Sequence, residues 1–256
     1  MKTKSLGFIG GGRITKIFLQ AFANKKVELE SVVVFDTNAD VLAALKVQFP
    51  FIATGSLEET ASQPTVFIAL HPPMIMETLD KIAGVVANDA VVISLAPKIT
   101  IEKNASKLKT SNIARMIPNA TSFINEGYNP VTFAAGFNET EKAELVDLLK
   151  LLGTTFEVAE RKLEAYAILS AMLPTYFWFQ WNELTKLGDP MGLTAEESNV
   201  AIQQTLRASM NLYFESGLSP EQVMDLIPVK PIGDSQPQIV EIYQTKLLGL
   251  FEKIKP

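Results

Sequence analysis

The residues that first offer chemistry are Gly10-Gly11-Gly12-Arg13-Ile14-Thr15, which follow the apolar run Leu6-Gly7-Phe8-Ile9 and open a helical pattern over 14–23. A strand, a glycine turn and a helix start in that order make a cradle for an anion. The first glycine permits the tight turn, and the second lets backbone N–H groups approach a pyrophosphate. The third position, usually Gly or Ala, lets helix pack on strand. The helix N-terminus adds partial positive charge. Here the third position is Thr15, whose larger side chain is expected to loosen that packing. Asp36 ends the next strand, near the roughly 20-residue offset of a ribose-binding acid. The pattern points to a dinucleotide held by Gly10, Gly12, Arg13, Ile14 and Asp36. Asp36 favours NAD, because an acid repels a 2′-phosphate, whereas Arg13 favours NADP if it reaches that phosphate. The choice between NAD and NADP stays open. The competing reading is a glycine turn that joins strand to helix and holds no ligand.

The remaining chemistry is sparse. The chain has 256 residues, no cysteine and one histidine, His71. Disulfides, thiolate ligands and a cysteine nucleophile are excluded, and a multi-histidine metal centre is not expected. His71 reads either as a proton donor or, more plainly, as a ribose contact or an exposed loop residue. Lys162 and Lys186 are candidates for the lysine of a 3-hydroxyacid-type dehydrogenase, but neither opens a glycine-rich helix with a following Asn. Ser170 reads as a substrate contact or as a hydroxyl bonded within its own helix. Phe177, Trp178, Phe179 and Trp181 read as an aromatic substrate box or, better, as helix packing in a dimer core. No catalytic residue is assigned by pattern. The net charge is −5 with no basic run, so no nucleic-acid partner is expected.

These residues need elements to position them. Short apolar runs at 32–35, 66–70, 91–95, 113–117 and 131–134 alternate with helical patterns, among them 38–47 and 139–152, and a further strand at 154–158 follows. Continuous apolar strands of this kind suit a parallel sheet covered on both faces. Asn138 and Glu141 suggest a capping box, and Gly153 a left-handed helix cap. The charged stretch Glu157–Lys162 reads as a solvated domain boundary, after which only helices follow, near 163–187, 194–217, from 219–220 onward, and 237–254. The expected architecture is α/β: an N-terminal Rossmann-type dinucleotide-binding domain over 1–160, then an all-helical dimerisation and substrate domain over 161–256. Residues 165–182 carry no charge over 18 positions, which touches the length of a membrane span. Ser170, Pro174, Thr175, Gln180 and Asn182 interrupt it, so it is expected to be buried in protein, with no membrane partner. The opening segment, broken by glycines, does not read as a secretory leader, and a cytoplasmic location is expected.

Further segments resemble the pyrroline-5-carboxylate reductase family over nearly the whole length. Ala69-Leu70-His71-Pro72 is similar to the family's Ala-Val-Lys-Pro, Val92–Ala96 to Val-Ile-Ser-Ile-Ala, and Arg115–Asn119 to Arg-x-Met-Pro-Asn. Asn125-Glu126-Gly127 is similar to Gly-Glu-Gly. Leu169–Tyr176 falls where the family has Leu-Ser-Gly-Ser-Gly-Pro-Ala-Tyr, and Glu215-Ser216-Gly217 matches Glu-Ser-Gly. The resemblance implies NAD(P)H as cofactor, reduction of a cyclic imine in proline biosynthesis, and a homodimer built on interlocking helices. It places Ala69, His71, Pro72, Ala96 and Asn119 along the nicotinamide end, and a small-molecule substrate near Asn119, Ser170 and Thr175. The substrate motif departs from the family: Ala171 and Leu173 stand for glycines and Met172 for a serine. The later loop Val229–Ser235 has lost threonines and gained Asp234. An altered substrate is expected, with a C=N or C=O carbon as hydride acceptor. The alternatives are a 3-hydroxyacid-type dehydrogenase and a non-catalytic, regulatory dinucleotide-binding protein.

Overall fold

The computed structural model describes residues 4–256; the three before them, read as a lead-in to the first strand, lie outside the described residues. The first half alternates strand and helix: β1 (Lys4–Ile9), α1 (Arg13–Asn24), β2 (Leu29–Phe35), α2 (Ala39–Gln48), β3 (Ala53–Thr54), α3 (Leu57–Ala61), β4 (Thr65–Ile68), α4 (Pro72–Ile82), β5 (Val91–Ser94), α5 (Ile101–Ala105) and β6 (Ile113–Met116). After these come β7 (Gly127–Phe133), α6 (Glu139–Lys150), β8 (Gly153–Glu157) and α7 (Leu163–Tyr166). The strands form one sheet in the order β3-β2-β1-β4-β5-β6-β7-β8, with every pairing parallel except β6 with β7. The chain leaves β1 in one direction and returns at β4 to run the other way. The carboxyl ends of β1 and β4 therefore flank the switch point at which such sheets bind ligands.

The apolar runs explain the sheet. β4, β5 and β6 are buried at every residue, as strands covered on both faces must be. On one face Phe8 stacks on Phe67 at 4.8 Å between ring centroids, and Phe18 of α1 meets both rings edge-on. On the other, Ile75, Leu79 and Ile82 of α4 pack with Ile9, Val66 and Ile68. These two layers fix α1 and α4, and with them the loops that open each helix.

The described residues divide into two compact units, one ending at Ala171 and including 250–256, the other spanning Met172–Gly249. The division falls later than the expected boundary after residue 160, because α7 and the turn after it belong with the sheet. The second unit holds α8 (Leu173–Leu187), α9 (Ala195–Glu215), α10 (Pro220–Asp225) and α11 (Gln236–Ile242); the chain then enters α12 (Leu248–Ile254). Thr194 and Glu197 close a full capping box on α9, and Ser219 caps α10 with Pro220 at its first position.

Several expectations are corrected. The helix expected over 163–187 is broken into α7, a π-helical turn over Ala167–Ala171, and α8. Pro174 supplies the reason: it lacks an N–H, and its ring would strike the carbonyl four residues back, so the wider turn absorbs it. Gly153 is not a left-handed cap. It starts β8 at φ +131°, where a Cβ would lie 2.3 Å from the Gly127 backbone, and Leu151 caps α6 instead. Within one chain the uncharged segment 165–182 is buried only at Ala167 and Ile168: α8 has no buried residue, and Trp178 and Phe179 are 48% and 62% exposed. Among the described residues no helix is long and apolar enough to cross a membrane.

Candidate functional site

The glycine turn is built by close approach. Gly10 has φ +105°, donates its N–H to the Phe35 carbonyl at 2.7 Å, and would place a Cβ only 2.5 Å from the Ala69 carbonyl oxygen. Thr15 does not loosen the turn. It is buried, and its hydroxyl donates to the Gly10 carbonyl at 2.5 Å, tying the first turn of α1 back to the loop. Asp36 completes the ring: its Oδ2 accepts from Gly11 N–H at 2.7 Å and its Oδ1 from Asn38 N–H at 2.8 Å. The acid is thus held in one orientation by two backbone donors.

Gly12 differs from Gly10. It is the N-cap of α1, extended at φ −72°, and a Cβ there would meet no atom within 4 Å. No side chain caps α1 and its first turn has no acid. Its leading N–H groups are therefore left for an outside acceptor, beside open space. A cleft of about 320 Å³ lies here, lined by Gly10, Gly12, Asp36, Ala69 and His71 among others. Five expected cofactor residues are brought to one surface; Arg13 and Ile14 begin α1 beside them. His71 is the exposed N-cap of α4 and Pro72 its first residue. Across the cleft, Lys81 donates to Glu77 at 2.7 Å. That hydrogen bond, and then the ammonium charge, hold the Glu77 carboxyl below its usual pKa.

The other expected residues lie at neighbouring strand ends. Ala96 is buried just after β5. Asn119, buried after β6, accepts from Thr121 N–H at 3.0 Å and donates to Ser170 Oγ at 3.1 Å. Ser170 sits in the π-helical turn and donates to the Tyr128 carbonyl at 3.4 Å, so its hydroxyl faces Asn119 rather than its own helix. Thr175 belongs to the other unit, where its hydroxyl donates to the Met172 carbonyl at 2.6 Å. Lys186 is paired with Glu183 on an exposed helix, and Lys162 is exposed in a short turn.

One group of residues was missed. Arg115 is fully buried in β6; its Nη1 bonds Glu160 at 2.7 Å and its Nη2 bonds the buried Glu164 at 2.6 Å. Glu160 also accepts from Ile101 N–H at 2.7 Å, and Glu164 from Lys98 N–H at 3.1 Å. The stretch Glu157–Lys162 is therefore not simply a solvated face. Lys98 has φ +74°, a conformation that costs a non-glycine residue about 1–3 kcal/mol. Glu164, braced by Arg115, holds the strained loop that carries Ala96. The available signal was an arginine inside an apolar strand, which demands buried acids as partners.

Fold and cleft together define a class: a Rossmann-type dinucleotide-binding unit followed along the chain by helices. Residues 5–98 match the family described as NADP oxidoreductase, coenzyme F420-dependent. The chain is similar to the pyrroline-5-carboxylate reductase of Escherichia coli K12, 25% identical over 227 residues, covering 88% of this chain and 84% of that one. It is 22% identical to that of Corynebacterium melassecola over 254 residues, covering 96% and 93%. Among solved structures, the Plasmodium falciparum pyrroline carboxylate reductase with NADP bound superposes with a TM-score of 0.76 at 20% identity, covering 99% of this chain and 96% of that one. The resemblance read from the sequence motifs is supported over almost the full length.

Proposed function

We propose that the protein is an NAD(P)H-dependent oxidoreductase that reduces a C=N, or else a C=O, carbon of a small molecule, in the manner of the pyrroline-5-carboxylate reductases it resembles. The observation that carries this reading is Gly12: an uncapped helix N-terminus with open space at its Cβ, beside Asp36 in one cleft at the sheet's switch point. Gly10, Gly12, Arg13 and Ile14 would hold the pyrophosphate and Asp36 the ribose. Ala69, His71, Pro72, Ala96 and Asn119 would border the nicotinamide. When bound, the reduced nicotinamide supplies the hydride. The protein's share is to orient the acceptor and exclude water, with Asn119 and Ser170 offering polar contacts.

The proposed division of roles is a dinucleotide-binding domain over 1–160 and a helical dimerisation and substrate domain over 161–256, although residues 161–171 pack with the sheet unit. Support for a homodimer comes from the exposed aromatic residues of α8 and from an apolar groove of about 480 Å³ in the helical unit, lined by Ile227, Val229, Ile232 and Tyr243 among others. A cytoplasmic location is part of the same proposal. A pocket lysine, which the 3-hydroxyacid reading needs, has no support from Lys186, already paired with Glu183.

The test is Gly12→Val. A Cβ there meets no atom within 4 Å, and the valine methyls beyond it would extend into the space proposed for phosphate. The expected outcome is an unchanged thermal midpoint with NADH and NADPH binding lost in calorimetric titration. Undiminished binding would remove the loop as the site.

A further inference from the structure

The cleft favours one of the two nicotinamide cofactors. NADH and NADPH differ only in the 2′-phosphate on the adenosine ribose, so selectivity lies in the charges beside that ribose. In a sheet of this topology the residue at the end of β2 faces it. Here that residue is Asp36, and its carboxylate is fastened by Gly11 N–H at 2.7 Å and Asn38 N–H at 2.8 Å. A free acid could swing away from a phosphate; one held by two backbone donors keeps its charge in place. It retains lone pairs to accept from a ribose hydroxyl, since a carboxylate accepts about four hydrogen bonds.

No basic residue offsets that charge on the same loop. Thr37, Asn38, Ala39, Asp40 and Val41 follow Asp36, and Thr37 is exposed and lines the cleft. The cation on the opposite wall, Lys81, is bonded to Glu77 at 2.7 Å. Arg13 opens α1 beside the glycine turn, where it is exposed and is not among the residues lining the cleft with Asp36. The charges lining the cleft therefore include two carboxylates against one ammonium, and a 2′-phosphate would add nearly two more negative charges.

We propose that Asp36 makes this protein selective for NADH over NADPH, although the solved relative named above holds NADP. The inference rests on the dinucleotide reading, and binding constants separate the two. Titrating the full-length protein with NADH and NADPH by calorimetry, without any substrate, should give a dissociation constant about tenfold or more lower for NADH. The ratio is the informative quantity, because Asp36→Ser also removes acceptors from the loop and weakens both cofactors. Asp36→Ser should bring the ratio within about threefold of unity. Asp36→Asn, which keeps the side chain's shape, should move it the same way. Asp36→Ser combined with Thr37→Arg should reverse it. Equal or tighter NADPH binding by the unaltered protein, or a ratio that Asp36→Ser and Asp36→Asn leave unmoved, overturns the assignment while the dinucleotide reading stands. If neither cofactor binds, both fall.

Discussion

Gly10 and Gly12 belong to the same motif but do different work. A Cβ at Gly10 would meet the Ala69 carbonyl at 2.5 Å in a backbone of φ +105°, so Gly10→Ala should lower unfolding free energy by about 1–3 kcal/mol in urea titration. Gly12→Ala should leave stability within about 0.5 kcal/mol yet weaken dinucleotide binding, because only a ligand fills the space beside it. Equal losses of stability in the two variants would contradict that separation. The substrate residues make a second case. Met172 and Leu173 stand where the resembling family has a hydroxyl and a glycine, and Asp234 puts an acid in a loop that the resemblance implies would hold the substrate's carboxylate. Two carboxylates about 4 Å apart repel by about 4 kcal/mol at a surface-like dielectric, and solvent screening removes much of this. One remaining kcal/mol plus one lost hydrogen bond costs on the order of a hundredfold in transition-state binding. Pyrroline-5-carboxylate should therefore be reduced with a kcat/KM below about 10⁴ M⁻¹s⁻¹, and other cyclic imines or small ketones faster. The assay is NAD(P)H oxidation across that panel.

At the scale of elements, the strand ends are held by side chains rather than by the sheet alone. Asp36 braces the loop after β1, and Glu164 of α7, with Arg115 of β6, braces the loop after β5. Removing one partner of a buried ion pair typically costs about 3–5 kcal/mol. Arg115 keeps Glu160, so Glu164→Ala should lie near the lower end, about 3 kcal/mol by urea denaturation. Amide hydrogen exchange should rise at Lys98, whose N–H loses its acceptor. A change below about 0.5 kcal/mol with unaltered exchange would show that the loop holds its conformation unaided. The π-helical turn acts similarly on Ser170: by interrupting the helix before Pro174, it leaves that hydroxyl within reach of Asn119 Nδ2 at 3.1 Å.

At the scale of the whole molecule, the helical part leaves much apolar surface exposed. Trp178, Phe179, Phe214, Ile227, Val229 and Ile232 are all exposed, which a soluble single chain rarely sustains in one region. Interfaces of obligate homodimers are large and apolar enough to cover such a surface. Light scattering at micromolar concentration should give the mass of two chains, and Phe179→Glu should shift it toward one. A one-chain mass for the unaltered protein would contradict the dimer.

The sequence by itself determined the alternation of strand and helix, the glycine turn, Asp36 and the capping of α9 and α10. Those features are local: apolar runs, turn residues and cap spacings carry their structural consequence within a few positions. It did not determine the break before Pro174, because a continuous helix and a π-helical turn share the same apolar pattern. Nor did it determine that Thr15 tightens its turn, since that depends on where the Gly10 carbonyl points. The Arg115–Glu160–Glu164 group joins residues 45 and 49 positions apart, and only the packing of α7 against the sheet brings them together. Burial decides such pairings: an ionised side chain out of water must find its partner wherever the fold places one.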